Sequence, residues 1–76
     1  MVEKYIVLGK IDDVKGFVNV AMSKPYDIDL VSGRYVVDAK SIMGIFSLDL
    51  SKPICMRADS DGDPGFLDEI KPFLAE

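Results

Sequence analysis

The hydrophobic pattern of this chain switches repeatedly between strand spacing and helix spacing, and that alternation limits it to a small mixed domain. Residues 5–8 are apolar and partly β-branched, which marks a strand. Asp12 and Asp13 precede Val14, Phe17, Val18, Ala21 and Met22, whose spacings of three and four trace one helical face. Pro25 stops that helix. Asp27-Ile28-Asp29-Leu30 alternates polar and apolar, Ser32-Gly33 supplies a two-residue turn, and Arg34 resumes an extended pattern, so residues 27–38 are expected to form a β-hairpin. Ser41 opens a two-turn helix over residues 41–48, in which Gly44 is a weak point that needs tertiary support. After Pro53, Ile54, Met56 and Ala58 share one face of a strand. Asp63-Pro64 reads as N-cap and first position of a last helix that carries Phe66, Leu67, Ile70, Phe73 and Leu74. Pro72 lies inside that pattern and predicts a kink or a frayed final turn.

The order βαββαβα predicts an α+β fold in which a four-stranded antiparallel sheet is covered by three helices on one face. With 76 residues the chain is expected to be a single domain, residues 1–76, with a thin core. A net charge of −4 argues against duplex nucleic acid or a membrane surface as direct partners, since both require clustered cations. Cys55 is the one cysteine, so no internal disulfide points to secretion. The N-terminal MVEKYIVLGK lacks the form of a signal peptide, and no apolar run has the length of a membrane span. A cytoplasmic location is the expectation.

Several catalytic chemistries are excluded by residue type. The chain has no histidine, so every imidazole-dependent nucleophile, base or metal site is absent. Asp59-Ser60-Asp61-Gly62-Asp63 has the look of a calcium loop, but the sixth and twelfth positions hold Pro64 and Ile70 where glycine and a bidentate glutamate are needed. A polar turn explains it. Cys55 lies mid-strand without a base and is expected to pack. No cofactor and no enzymatic activity are expected.

The stretch Asp38-Ala39-Lys40-Ser41-Ile42-Met43-Gly44-Ile45-Phe46-Ser47-Leu48 resembles the regulatory-serine segment of HPr, the small phosphocarrier of the sugar phosphotransferase system. The family pattern there is Lys-Ser-Ile-Met-Gly followed by an apolar pair and Ser-Leu. The resemblance extends back to Asp27 through the Gly33 turn and implies an open-faced β-sandwich, in agreement with the element order. The chain departs from the family at the start of the first helix, where the family carries a histidine, a further residue, an arginine and a proline. Here that region reads Gly9-Lys10-Ile11-Asp12-Asp13-Val14-Lys15-Gly16, and no phosphohistidine can form.

The resemblance implies that Ser41 is a regulatory phosphorylation site, since its family counterpart is the substrate of HPr kinase and the phosphorylated form can act with a transcriptional regulator. A serine at a helix N-cap lies beside free N–H groups that would receive a phosphate, with Lys40 adjacent and Asp38 opposing. Capping alone also explains Ser41. Ile42, Met43 and Phe46 match a family docking patch for protein partners and, with Lys40, are the expected contact residues. The same patch would suit a homodimer. Ile45 and Leu48 are expected in the core. The resulting expectation is a non-catalytic regulatory or adaptor protein. The alternatives are a phosphocarrier using an acyl phosphate on Asp12 or Asp13, or a purely structural interaction domain.

Overall fold

A computed structural model describes residues 1–75. Its elements are β1 (Val2–Ile6), α1 (Ile11–Met22), β2 (Ile28–Ser32), β3 (Tyr35–Asp38), α2 (Ile42–Phe46), β4 (Ile54–Ala58), α3 (Phe66–Ile70) and a closing 3₁₀ turn (Lys71–Phe73). The sheet order is β1-β4-β2-β3 and every neighbouring pair is antiparallel. β1 and β2 are therefore parallel but separated by β4, and α1 makes the crossover between them. The three helices cover one face, as the element order predicted.

Alternation within each strand decides which face is covered. Ile6, Ile28, Leu30, Ile54, Met56 and Ala58 all point toward the helices and are essentially inaccessible. From α1 the stripe Val14, Phe17, Val18 and Ala21 fills the facing side. Met22 does not belong to that stripe: it is the last residue of the helix and is 64% exposed. The stop comes ahead of Pro25 because the residue before a proline disfavours helical dihedrals. Phe17 and Phe66 are the largest buried side chains, each contributing about 1.5–3 kcal/mol by burial. Phe73 closes the end of the core. Its ring meets Phe17 edge-on at 5.8 Å and lies over Gly16, where a Cβ would come within 3.2 Å of it.

Three local expectations shift. The first strand covers Val2–Ile6 rather than residues 5–8. Its register with β4 pairs Val2 with Ala58, while Val7 leaves β4 and donates to Phe73 O at 2.8 Å. With the Ile6–Leu74 bridge, the C-terminal segment thus covers the outer edge of β1, the usual protection of an edge strand. The hairpin turn is Gly33-Arg34, since Ser32 still pairs with Tyr35. Gly33 has φ +59° and Arg34 does not have positive φ, the pattern of a type II′ turn, in which glycine is required at the first position. The last helix starts at Phe66 with Gly65 at its N-cap; Asp63 instead heads a turn closed by Phe66 N–H to Asp63 O. The break expected at Pro72 is present, and it splits the pattern through Phe73 and Leu74. Regular helix stops at Ile70 and a 3₁₀ turn containing Pro72 follows, the outcome expected where an internal N–H is missing.

Candidate functional site

The segment from Asp38 to Leu48 is held by a chain of short-range bonds. Ala39 is buried and its N–H donates to Ile28 O at 2.9 Å, fastening the end of β3 to β2. Asp38 then turns the backbone: its carboxylate accepts the Lys40 N–H at 2.9 Å and its carbonyl accepts the Ser41 N–H at 2.9 Å. Ser41 follows with extended dihedrals at the N-cap of α2, and its Oγ accepts the Gly44 N–H at 3.2 Å. A cap of this kind is worth about 1 kcal/mol. Ser41 is exposed.

The five-residue α2 is too short to stand alone. Its inward side, Ile45 with Leu48 just beyond, is buried in the core as expected. Gly44 supplies the tertiary support that the sequence demanded. A Cβ at Gly44 would lie 3.3 Å from the Val37 Cβ and 3.3 Å from the Ser41 Oγ, so the missing side chain lets α2 approach β3. The outward side carries Met43, 78% exposed, and Phe46, 42% exposed. Ile42 is half-buried and packs against the edge of the core. The geometry thus sets Ser41, Met43 and Phe46 on the accessible side of one turn of helix, with Ile42 at its margin.

Lys40 is half-buried, and its Nζ donates to Lys24 O at 3.0 Å. This bond ties the entry of α2 to the segment leaving α1. That segment belongs to a polar cluster which sequence reasoning did not find. The Lys24 ammonium lies 3.0 Å from the Asp63 carboxylate and also bonds Glu69. The Tyr26 hydroxyl donates to Asp63 at 2.9 Å, and the Tyr26 ring meets Phe66 edge-on at 5.7 Å. Bonds from Lys24 first, then from Tyr26, hold the Asp63 carboxyl below the usual carboxylate range. The bonds to Glu69 and Asp63 raise Lys24. Burial, then the bond to Asp63, pushes the Tyr26 phenol up to about 12. The partners are 37 and 45 residues apart, so no local pattern could have announced them.

At the start of α1, Lys10 occupies the N-cap without a side-chain cap, and Asp12 and Asp13 stand in the first turn. Two carboxylates complement the positive end of the helix dipole. They also place negative charge where an incoming phosphate would have to sit, which is opposite to the electrostatics of an anion site. Cys55 is half-buried in β4, on the side of the sheet away from the helices. Among the described residues no group of acids and Cys55 could hold a metal ion, and no helix is long and apolar enough to cross a membrane.

The fold has a solved counterpart. The crystal structure described as HPr-C-His from Thermoanaerobacter tengcongensis matches with a TM-score of 0.76 and 25% identity, over 95% of this chain and 89% of that one. The chain has an HPr-like fold. No protein-family model and no curated protein matches it.

Proposed function

We propose that this HPr-like protein is a non-catalytic regulatory or adaptor module. It docks protein partners through Met43, Phe46 and the margin residue Ile42, with Lys40 at the rim, and phosphorylation of Ser41 switches that docking. HPr kinase is the expected modifying enzyme and a transcriptional regulator the expected class of partner. The observation that carries the reading is the placement of an exposed N-cap hydroxyl beside two exposed, large, adaptable apolar side chains on a helix whose other side is fully buried. A phosphate on Ser41 adds about −1.5 to −2 charge at the rim of that apolar surface, enough to admit one partner and repel another. The absence of histidine and the acidic first turn of α1 support the non-catalytic half of the reading.

The test is the kinetics of phosphate incorporation by an HPr kinase with ATP. The expected result is one phosphate on the unsubstituted protein, none on Ser41→Ala, and kcat/KM about ten-fold lower or worse for a Met43→Asp, Phe46→Asp double variant. Equal rates for the double variant would remove the docking role from α2. Phosphate that persists in Ser41→Ala but disappears in Asp12→Asn, Asp13→Asn would favour an acyl-phosphate carrier instead.

A further inference from the structure

We propose that the sheet face opposite the helices is a self-association surface, on which a second copy of this chain docks face to face about a two-fold axis. The proposal is independent of the role of Ser41. It starts from the strand registers. Tyr5 pairs with Cys55, Cys55 with Val31, and Val31 with Val36, so these four side chains form one continuous row across all four strands. Its ends are open, Tyr5 and Val36 each being 61% exposed, and its centre, Val31 and Cys55, is half-buried. A solvated face of an antiparallel sheet is normally polar, and here its central row is not.

The charges beside the row select the occupant and its orientation. One step along the strands on one side lies a second row, Glu3, Arg57, Asp29 and Asp38, again paired strand to strand. Arg57 bonds Glu3 at 3.0 Å, leaving the like charges Asp29 and Asp38 directly opposite each other, an unfavourable cross-strand pair. On the other side of the apolar row, Arg34 and Lys52 line the same shallow groove and form no ion pair among the described residues. Within β3 and its turn, Asp38 and Arg34 stand two positions either side of Val36.

Two symmetric stackings are available. An axis parallel to the strands would lay this row on its own reverse, setting Arg57 against Asp29 but Glu3 against Asp38 of the second copy. An axis along the apolar row reverses the strand direction of the second copy. It sets each apolar residue against its own mate and carries Arg34 onto Asp38 of the other copy, close to Asp29. Of the two, this second arrangement gives Asp38 a cation where the first gives it a like charge, and it needs nothing but the same chain. With strands about 4.8 Å apart and about 3.3 Å per residue, the flat footprint is on the order of 300 Å² per copy. That is well below the roughly 800 Å² per partner of a stable interface, so monomer and dimer exchange.

Sedimentation velocity from about 10 μM to about 1 mM, the range suited to so small an interface, reads the proposal directly. The expected result is a rise from the 8.4 kDa chain toward twice that mass. Val36→Glu should abolish the rise, and Arg34→Asp alone or Asp38→Arg alone should weaken association about ten-fold, with recovery when the two are combined. Because Asp38 also accepts the Lys40 N–H, circular dichroism checks that its variant is folded. A second readout needs no substitution at that turn: stacked sheets lie about 10 Å apart, so a short bismaleimide should join Cys55 to Cys55 between copies, and Val36→Glu should prevent it. A chain that stays monomeric at the highest concentration without thiol cross-linking overturns the proposal. So does a dimer indifferent to Val36→Glu, and so do single charge reversals that weaken a dimer without mutual rescue.

Discussion

Replacing Gly44 with alanine is expected to destabilise the protein, although the same exchange in an ordinary helix stabilises it. Helix propensity alone favours alanine by about 0.8–1 kcal/mol. Against that, the new Cβ would stand 3.3 Å from the Val37 Cβ and 3.3 Å from the Ser41 Oγ. Neither neighbour gives way without cost. The Val37 Cβ is fixed to a strand backbone paired with Leu30, and the Ser41 Oγ is held by the Gly44 N–H. Overpacking of this kind costs about 1–3 kcal/mol, and loosening the Ser41 cap adds up to about 1 kcal/mol. The net expectation is a loss of about 1 kcal/mol. Urea unfolding followed by far-ultraviolet circular dichroism measures it: with a slope near 1 kcal/mol per molar for a domain this small, the midpoint should fall by about 1 M. In a Val37→Gly background the penalty should largely disappear, giving a coupling of about 1 kcal/mol. A midpoint that rises on Gly44→Ala would refute the close approach of α2 to β3 on which the placement of Ser41 depends.

The two sides of α2 should respond very differently to truncation. Ile45→Ala is expected to cost about 2–5 kcal/mol and Met43→Ala less than about 0.5 kcal/mol, as read by the same urea midpoints; comparable losses would mean that Met43 is not free for a partner. Asp63 predicts an acid-side dependence. Its folded carboxyl lies below the usual value, so its contribution is present above about pH 4, the unfolded range, and is lost as pH falls through the folded value. Melting temperatures measured from neutral to strongly acidic pH should therefore fall less for Asp63→Asn than for the unsubstituted chain. Tyr26 has the opposite sign. Its folded phenol is raised to about 12, so its contribution is full below about pH 10 and is lost as pH rises from there through the folded value. Tyr26→Phe should flatten the alkaline limb of the same melting curve.

What could be read from the sequence follows the reach of the interactions involved. β4 was legible residue for residue because strict alternation of Ile54, Met56 and Ala58 leaves one assignment. The stripe of α1 was legible because its spacing is sustained over more than two turns; Met22 fitted the spacing but not the burial, since it sits at the helix end. The α2 segment was legible through Ser41, whose cap is local, and through Gly44, whose weakness as a helix former announced the need for a neighbour. That neighbour, Val37, was identified only by the structure. Edges were misplaced where distant chain decides them. The first strand is shifted because β4 sets its register and the C-terminal segment takes over Val7. Asp63 looked like an N-cap, yet its carboxylate is engaged by Lys24 and Tyr26 from the far side of the fold. The apolar row on the bare face was hidden for the same reason: Tyr5, Val31, Val36 and Cys55 come together only once four strands are in register.

The intact mass of the protein after incubation with ATP and an HPr kinase tests most directly whether Ser41 is an accessible phosphoacceptor next to a docking surface. One phosphate on the unsubstituted chain and none on a Ser41→Ala variant that melts within a few degrees of it is the predicted result. No phosphate on either chain, or the same phosphate on both, would contradict the switch and leave the α2 segment as structure alone.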